Sequence, residues 1–227
     1  MPIDMETIDN VFQLLVSGGC TVIAINRAIS TGKRPWTMLA VCFSASLLAD
    51  LYWQLIYAFS GHTAMVFYVA DTGWYVASLF LYIFMKEIAL DRPGEKSIFI
   101  WPVPVFAAGM GIFYMHYGDY ISNIVAAVVM SLLGCETVKG LHTVRRRERA
   151  NEIDRTDAKH YRRLHISILA CFIMIYGMWT ASCFFKENTV TNPYYWCDIL
   201  MSAARLFILA FAFPVIGSSE KKDTARV

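Results

Sequence analysis

Seven apolar runs divide this chain, at roughly 9–28, 36–58, 64–85, 98–117, 120–139, 164–185 and 194–216. A bilayer core of about 30 Å needs about 20 apolar residues per helix. Lipid offers no hydrogen bonds to a backbone, so runs of this length cross as helices. The expectation is an all-α polytopic membrane protein with seven transmembrane helices, forming a single domain over residues 1–227. Mean hydropathy of +0.46 and a hydrophobic share of 57% exclude an ordinary soluble fold.

Polar or turn-forming breaks separate most of the runs: Thr31 to Pro35, Ser60-Gly61-His62, Asp91 to Gly94, Gly118-Asp119 and Asn188 to Pro193. The acidic stretch Met1 to Asn10 lacks the positive charge that opens a cleavable signal, so none is expected. Of the 20 Lys and Arg, only Lys186 and Arg205 fall outside the loops after spans 1, 3 and 5 and the C-terminal tail. Basic residues stay on the cytoplasmic side. This predicts an N-terminus outside and a C-terminus inside, with 218–227 as a cytoplasmic tail, in the plasma membrane.

Two stretches are rough copies of each other, 127 residues apart: YVADTGWYVASLFLYIF from Tyr68 and YWCDILMSAARLFILAF from Tyr195. Six of 17 positions are identical, including Asp71 with Asp198 and Phe84 with Phe211. At the same offset spans 2–3 map onto spans 6–7. A parallel three-helix repeat, spans 1–3 and 5–7 linked by span 4, produces this pattern. Pro102, Pro104, Gly109 and Gly111 make span 4 a kinked, close-packing linker.

Residues three, four and seven apart share a helix face. Span 2 aligns Ser46, Asp50, Trp53, Gln54 and Tyr57; span 3 aligns Asp71, Trp74, Tyr75, Ser78 and Tyr82. Span 6 aligns Tyr176, Trp179, Thr180 and Cys183; span 7 aligns Asp198, Ser202 and Arg205. Polar faces turn inward in a membrane bundle. At 1.5 Å per residue, Asp198, Asp71 and Asp50 lie about 6, 10 and 12 Å below the outer ends of their spans. These four faces predict an outward-facing aromatic and acidic pocket between spans 2, 3, 6 and 7. Its expected ligand-binding residues are Asp50, Trp53, Tyr57, Asp71, Trp74, Tyr75, Ser78, Tyr176 and Trp179. Three carboxylates against one guanidinium favour a cationic or aromatic small molecule. Asp198 and Arg205, seven apart on one face, are expected to form a structural ion pair.

The six cysteines are scattered through apolar runs without a Cys-x-x-Cys or Cys/His set, so neither metal nor disulfide framework is expected. The stretch from Lys139 to Arg163 is a charged cytoplasmic loop with nine basic and four acidic residues, in a pattern compatible with helical extensions of spans 5 and 6. It serves as a positive-inside anchor, or docks a protein or anionic-lipid partner. Nucleic acid is not an expected partner.

The seven-helix plan with its threefold halves resembles SWEET-type sugar transporters, PQ-loop proteins and nicotinamide riboside transporters, and in architecture the microbial rhodopsins. The resemblance is one of plan over the whole chain. No Pro-Gln pair occurs, and span 7 has no lysine for a Schiff base, so retinal is excluded and no cofactor is expected. Separately, Ala49-Asp50-Leu51-Tyr52-Trp53-Gln54-Leu55-Ile56-Tyr57 is similar to the second-helix motif of the membrane-bound meroterpenoid cyclases, and Asn192-Pro193 with Trp196-Cys197 to the start of their last helix. That resemblance implies Asp50 as general acid. The family's last-helix acid aligns with Arg205, which departs from the pattern.

Three readings follow. The first is a transporter- or receptor-like small-molecule binding protein. The second is a terpene cyclase-like enzyme with Asp50 as its acid. The third is a signalling or scaffold subunit acting through 139–163.

Overall fold

The computed structural model describes residues 5–60, 68–90 and 100–224. Residues 64–67 and 98–99 of the expected third and fourth spans, the breaks at Gly61-His62 and Asp91 to Gly94, and the last three residues of the tail lie outside them. Among the described residues the chain is all helical: α1 (Met5–Thr31), α2 (Arg34–Ser60), α3 (Tyr68–Glu87), α4 (Pro102–Tyr114), α5 (Tyr120–Arg149), α6 (Arg155–Phe184) and α7 (Pro193–Thr224). Five are long and apolar enough to cross a membrane: α1, α2, α5, α6 and α7. Together they mark an integral membrane protein.

The two remaining helices depart from the expected pattern for different reasons. α3 has 20 described residues, which include Asp71, Lys86 and Glu87. α4 has only 13 residues and begins at Pro102. Proline lacks the N–H that an interior position would need, so Pro102 and Pro104 stand in the first turn. They start α4 rather than kinking it. At 1.5 Å per residue, α4 reaches about 20 Å.

Helix ends follow local chemistry. Gly32 adopts φ 64° after α1, and its N–H donates to the Ala28 carbonyl at 2.9 Å, which closes that helix before α2 begins. Asp119 caps α5 by accepting from the Ser122 N–H at 2.8 Å. Asp154 caps α6 by accepting from the Thr156 N–H at 2.9 Å. Most of the expected 139–163 loop is helix: α5 runs to Arg149 and α6 starts at Arg155. Thirty residues span about 45 Å, more than a bilayer core. The surplus forms a charged helical hairpin in which Val144, Ile153, Ala158 and Tyr161 are buried.

Six helices close a ring, with α1 against α2, α2 against α3, α3 against α5, α5 against α6, α6 against α7 and α7 against α1. α4 packs on α5 from outside the ring. One buried cluster joins the ring helices through Phe43, Leu81, Phe84, Leu133, Ile168 and Ile208. A second, with Ala107, Tyr114, Met130, Phe172 and Tyr176, ties α4 to α5 and α6. α1 shows the polarity of the arrangement most plainly. Asp9, Gln13, Ser17 and Thr21, four residues apart, are buried, while Val11, Leu15 and Val22 on its other faces are exposed. Apolar outside and polar inside is the pattern of a helix facing lipid.

Candidate functional site

The inward stripe of α1 meets the stripes of α2, α3 and α7 at a buried polar network. Arg205 Nη1 donates to Ser17 Oγ at 2.9 Å and lies 3.3 Å from Asp50 Oδ2. Ser17 Oγ in turn donates to Asp50 Oδ2 at 3.0 Å, and Trp74 Nε1 donates to Asp50 Oδ1 at 2.9 Å. Four helices thus converge on one carboxylate. Nearer the N-terminus of α1, Gln13 Nε2 donates to Asp198 Oδ1 at 3.0 Å. Among the described residues, the buried Asp9 Oδ1, Thr21 Oγ1 and Ser202 Oγ have no hydrogen-bond partner.

The expected Asp198–Arg205 pair is therefore replaced by an Asp50–Arg205 pair. Seven residues along a helix amount to about 10.5 Å of rise, too far for direct contact within α7. Each side chain instead reaches a neighbouring helix. Arg205 finds Ser17 and Asp50, while Asp198 finds Gln13.

A cavity of about 90 Å³ lies beside this network. A water needs about 10–15 Å³ by this measure, so the space suits a compact ligand or a handful of waters. Trp53, Trp74, Tyr75, Ser78 and Trp179 line it, as expected from their helix faces. Met130 and Leu133 from α5, Met178 from α6, Met201 from α7, and Asn10 and Gln13 from α1 complete much of the wall, together with Tyr194, Asp198 and Arg205. The Trp53 and Trp74 rings lie 6.4 Å apart, tilted by 46°.

Four of the expected ligand-binding residues stand elsewhere. Asp50 lies behind the wall, held by Trp74, Ser17 and Arg205. Asp71 falls in the first turn of α3 and accepts from Ser122 Oγ of α5 at 2.7 Å. Tyr75 OH sits 2.6 Å from the same Ser122 Oγ, which makes this a staple between α3 and α5. Tyr57 is 38% exposed on the surface of α2. Tyr176 turns toward α4, stacked on Tyr114 with centroids 6.4 Å apart and packed edge-on against Trp179 and Phe172.

The wall consequently carries one carboxyl, Asp198, and one guanidinium, Arg205. The acidic surplus expected from three converging aspartates does not face the cavity. Among the described residues, Ser17 and Asp50 are both met by Arg205 Nη1, and a guanidinium has five N–H donors. Among the described residues, no group of three or more His, Cys, Asp and Glu could hold a metal ion.

The part missed from the sequence is α1. Its signal was present: four polar residues at a spacing of four inside an apolar run. Comparison with known proteins finds no match to a family model, to a curated protein or to a solved structure.

Proposed function

We propose that this chain is an integral-membrane small-molecule binding protein, transporter- or receptor-like, whose ligand occupies the cavity between α1, α2, α3, α5, α6 and α7. The observation that carries it is a guanidinium and a carboxyl both facing one aromatic-lined, largely buried space. Ligand sites are mostly apolar cavities with a few fixed polar groups. The three tryptophans suit an apolar or aromatic body, and the guanidinium of Arg205 suits an oxygen acceptor on it. Such a ligand replaces the simple cation that an acidic pocket would select.

The reading includes seven crossings, with the N-terminus outside, the C-terminus inside and the plasma membrane as site. The distribution of Lys and Arg supports that sidedness. At about 30 Å, α3 is long enough to cross despite its polarity. The ring order supports a repeat of α1–α3 and α5–α7, since exchanging the two triplets leaves the order unchanged and α4 stands apart as a linker. The charged α5–α6 hairpin then lies in the cytoplasm, where its basic residues suit a protein or anionic-lipid partner.

Mass spectrometry of gently solubilised protein tests the binding reading. A retained small molecule lost in Trp179→Ala or Arg205→Gln supports it. Protein that holds nothing and shows no tryptophan fluorescence response across a panel of oxygen-bearing apolar compounds counts against it.

A cyclase-like enzyme is the second reading, with a different acid. Asp50 is committed to three partners and absent from the wall, whereas Asp198 lines the cavity with Trp53, Trp74 and Trp179. In this reading Asp198, as a carboxylic acid at the wall, donates a proton to an epoxide or alkene held in the cavity. Aromatic rings stabilise cations that such a proton would generate. Membranes given polyprenyl epoxides should then form cyclised product that disappears in Asp198→Asn. Turnover that survives this substitution excludes Asp198 as the acid.

A further inference from the structure

A second, more open hollow of about 370 Å³ lies at the other end of α1, where it meets the start of α2 and the later turns of α7. We propose that this groove binds the phosphate of an anionic lipid headgroup. Its described lining residues include Arg27, Thr31, Lys33, Trp36, Phe213 and Gly217, which place a guanidinium and an ammonium at one groove. The groove is built rather than a chance meeting of surface charges. The Arg27 guanidinium lies over the Phe213 ring, 4.8 Å from its centroid. Phe213 meets Trp36 edge-on at 4.8 Å, and Trp36 is 3% exposed, so the floor beneath the guanidinium is packed in place. Thr31 Oγ1 donates to the Arg27 carbonyl at 2.6 Å, and the left-handed turn at Gly32 sets Lys33 on the same side.

A guanidinium held flat on an aromatic face keeps its edge donors for phosphate oxygens. The apolar floor suits the glycerol and upper acyl carbons of a lipid more than a free anion. On the proposed sidedness this end faces the cytoplasmic leaflet, where anionic lipids concentrate. The proposal is independent of what occupies the central cavity.

The full chain reconstituted in nanodiscs of phosphatidylcholine, with and without phosphatidylserine, tests this by native mass spectrometry and thermal unfolding. Wild type should retain phosphatidylserine and melt higher in its presence. The Arg27→Gln/Lys33→Gln variant should lose retention by on the order of tenfold. Gly217→Phe keeps both charges but fills the groove, because a Cβ at Gly217 meets only open space. It should lose retention equally, and it reads the groove even if the double variant fails to fold. Arg34→Gln removes a cation that pairs with Glu87 at 3.5 Å outside the groove and should change nothing. Equal retention of the two lipids, or unaltered retention in Gly217→Phe, overturns the proposal. Stabilisation by inorganic phosphate matching that by phosphatidylserine assigns the groove to a soluble anion instead.

Discussion

Arg205 and Asp50 form an ion pair at 3.3 Å, with side chains 9% and 0% exposed, between the last helix and the second. Ser17 bridges the two charges and Trp74 holds the second oxygen of the carboxylate. Removing one partner of a buried pair leaves an uncompensated charge and costs about 3–5 kcal/mol. Asp50→Asn and Arg205→Gln should each lower the melting temperature of detergent-solubilised protein sharply. The double variant should recover much of the loss. Additive losses in this cycle would show that the two side chains do not act as a pair.

Ser122 fastens α3 to α5 through Asp71 and Tyr75. Ser122→Ala removes the donor from a half-buried carboxylate, at a cost of about 1–3 kcal/mol. Because Asp71 stands outside the cavity wall, the substitution should reduce thermal stability while ligand affinity per folded molecule is retained. Loss of binding without loss of stability would instead place Asp71 at the ligand.

Gly140 on α5 lies so close to His165 on α6 that a Cβ would overlap the imidazole ring. His165 is itself buried, with Nδ1 2.7 Å from the Tyr161 carbonyl. Gly140→Ala should therefore destabilise by about 1–3 kcal/mol, the usual cost of overpacking. His165→Ala in the same chain should relieve much of that. A Gly140→Ala protein that melts like wild type would refute this packing of α5 on α6.

Asp154, fully exposed at the start of α6, has its carboxyl held below its usual value of 3.8, first by the backbone N–H of Thr156 and then by the Thr156 side chain. The sign of the effect follows from linkage. A depressed folded value makes the cap favourable above pH 3.8, and its contribution fades as pH falls through the lower folded value. The wild-type melting temperature should drop more steeply than that of Asp154→Asn on acidification below about pH 4. Parallel curves would show that the cap does not sense protonation.

The apolar runs and their breaks were sufficient to place helices, because a backbone in lipid has few other ways to satisfy its hydrogen bonds. Some boundaries drifted where chemistry other than hydropathy governs. Pro102 and Pro104 moved the start of α4, and capping by Asp154 set where α6 begins, while α5 starts at Tyr120 as expected. Helical spacing also brought Trp53, Trp74, Tyr75, Ser78 and Trp179 to one cavity, since each stripe had to face inward.

Helical spacing states which residues share a face, but not which helix that face meets. Asp198 and Arg205 share a stripe, yet each is partnered from another helix, and Asp50 rather than Asp198 takes the guanidinium. Asp71 repeats Asp198 in sequence but meets Ser122 in place of the cavity. Those choices depend on the order of helices around the ring, above all on α1 lying between α2 and α7. The sequence by itself determined the helices and their polar faces. Only the tertiary structure decided the partners, because a buried charge is neutralised by whatever packing brings within about 4 Å.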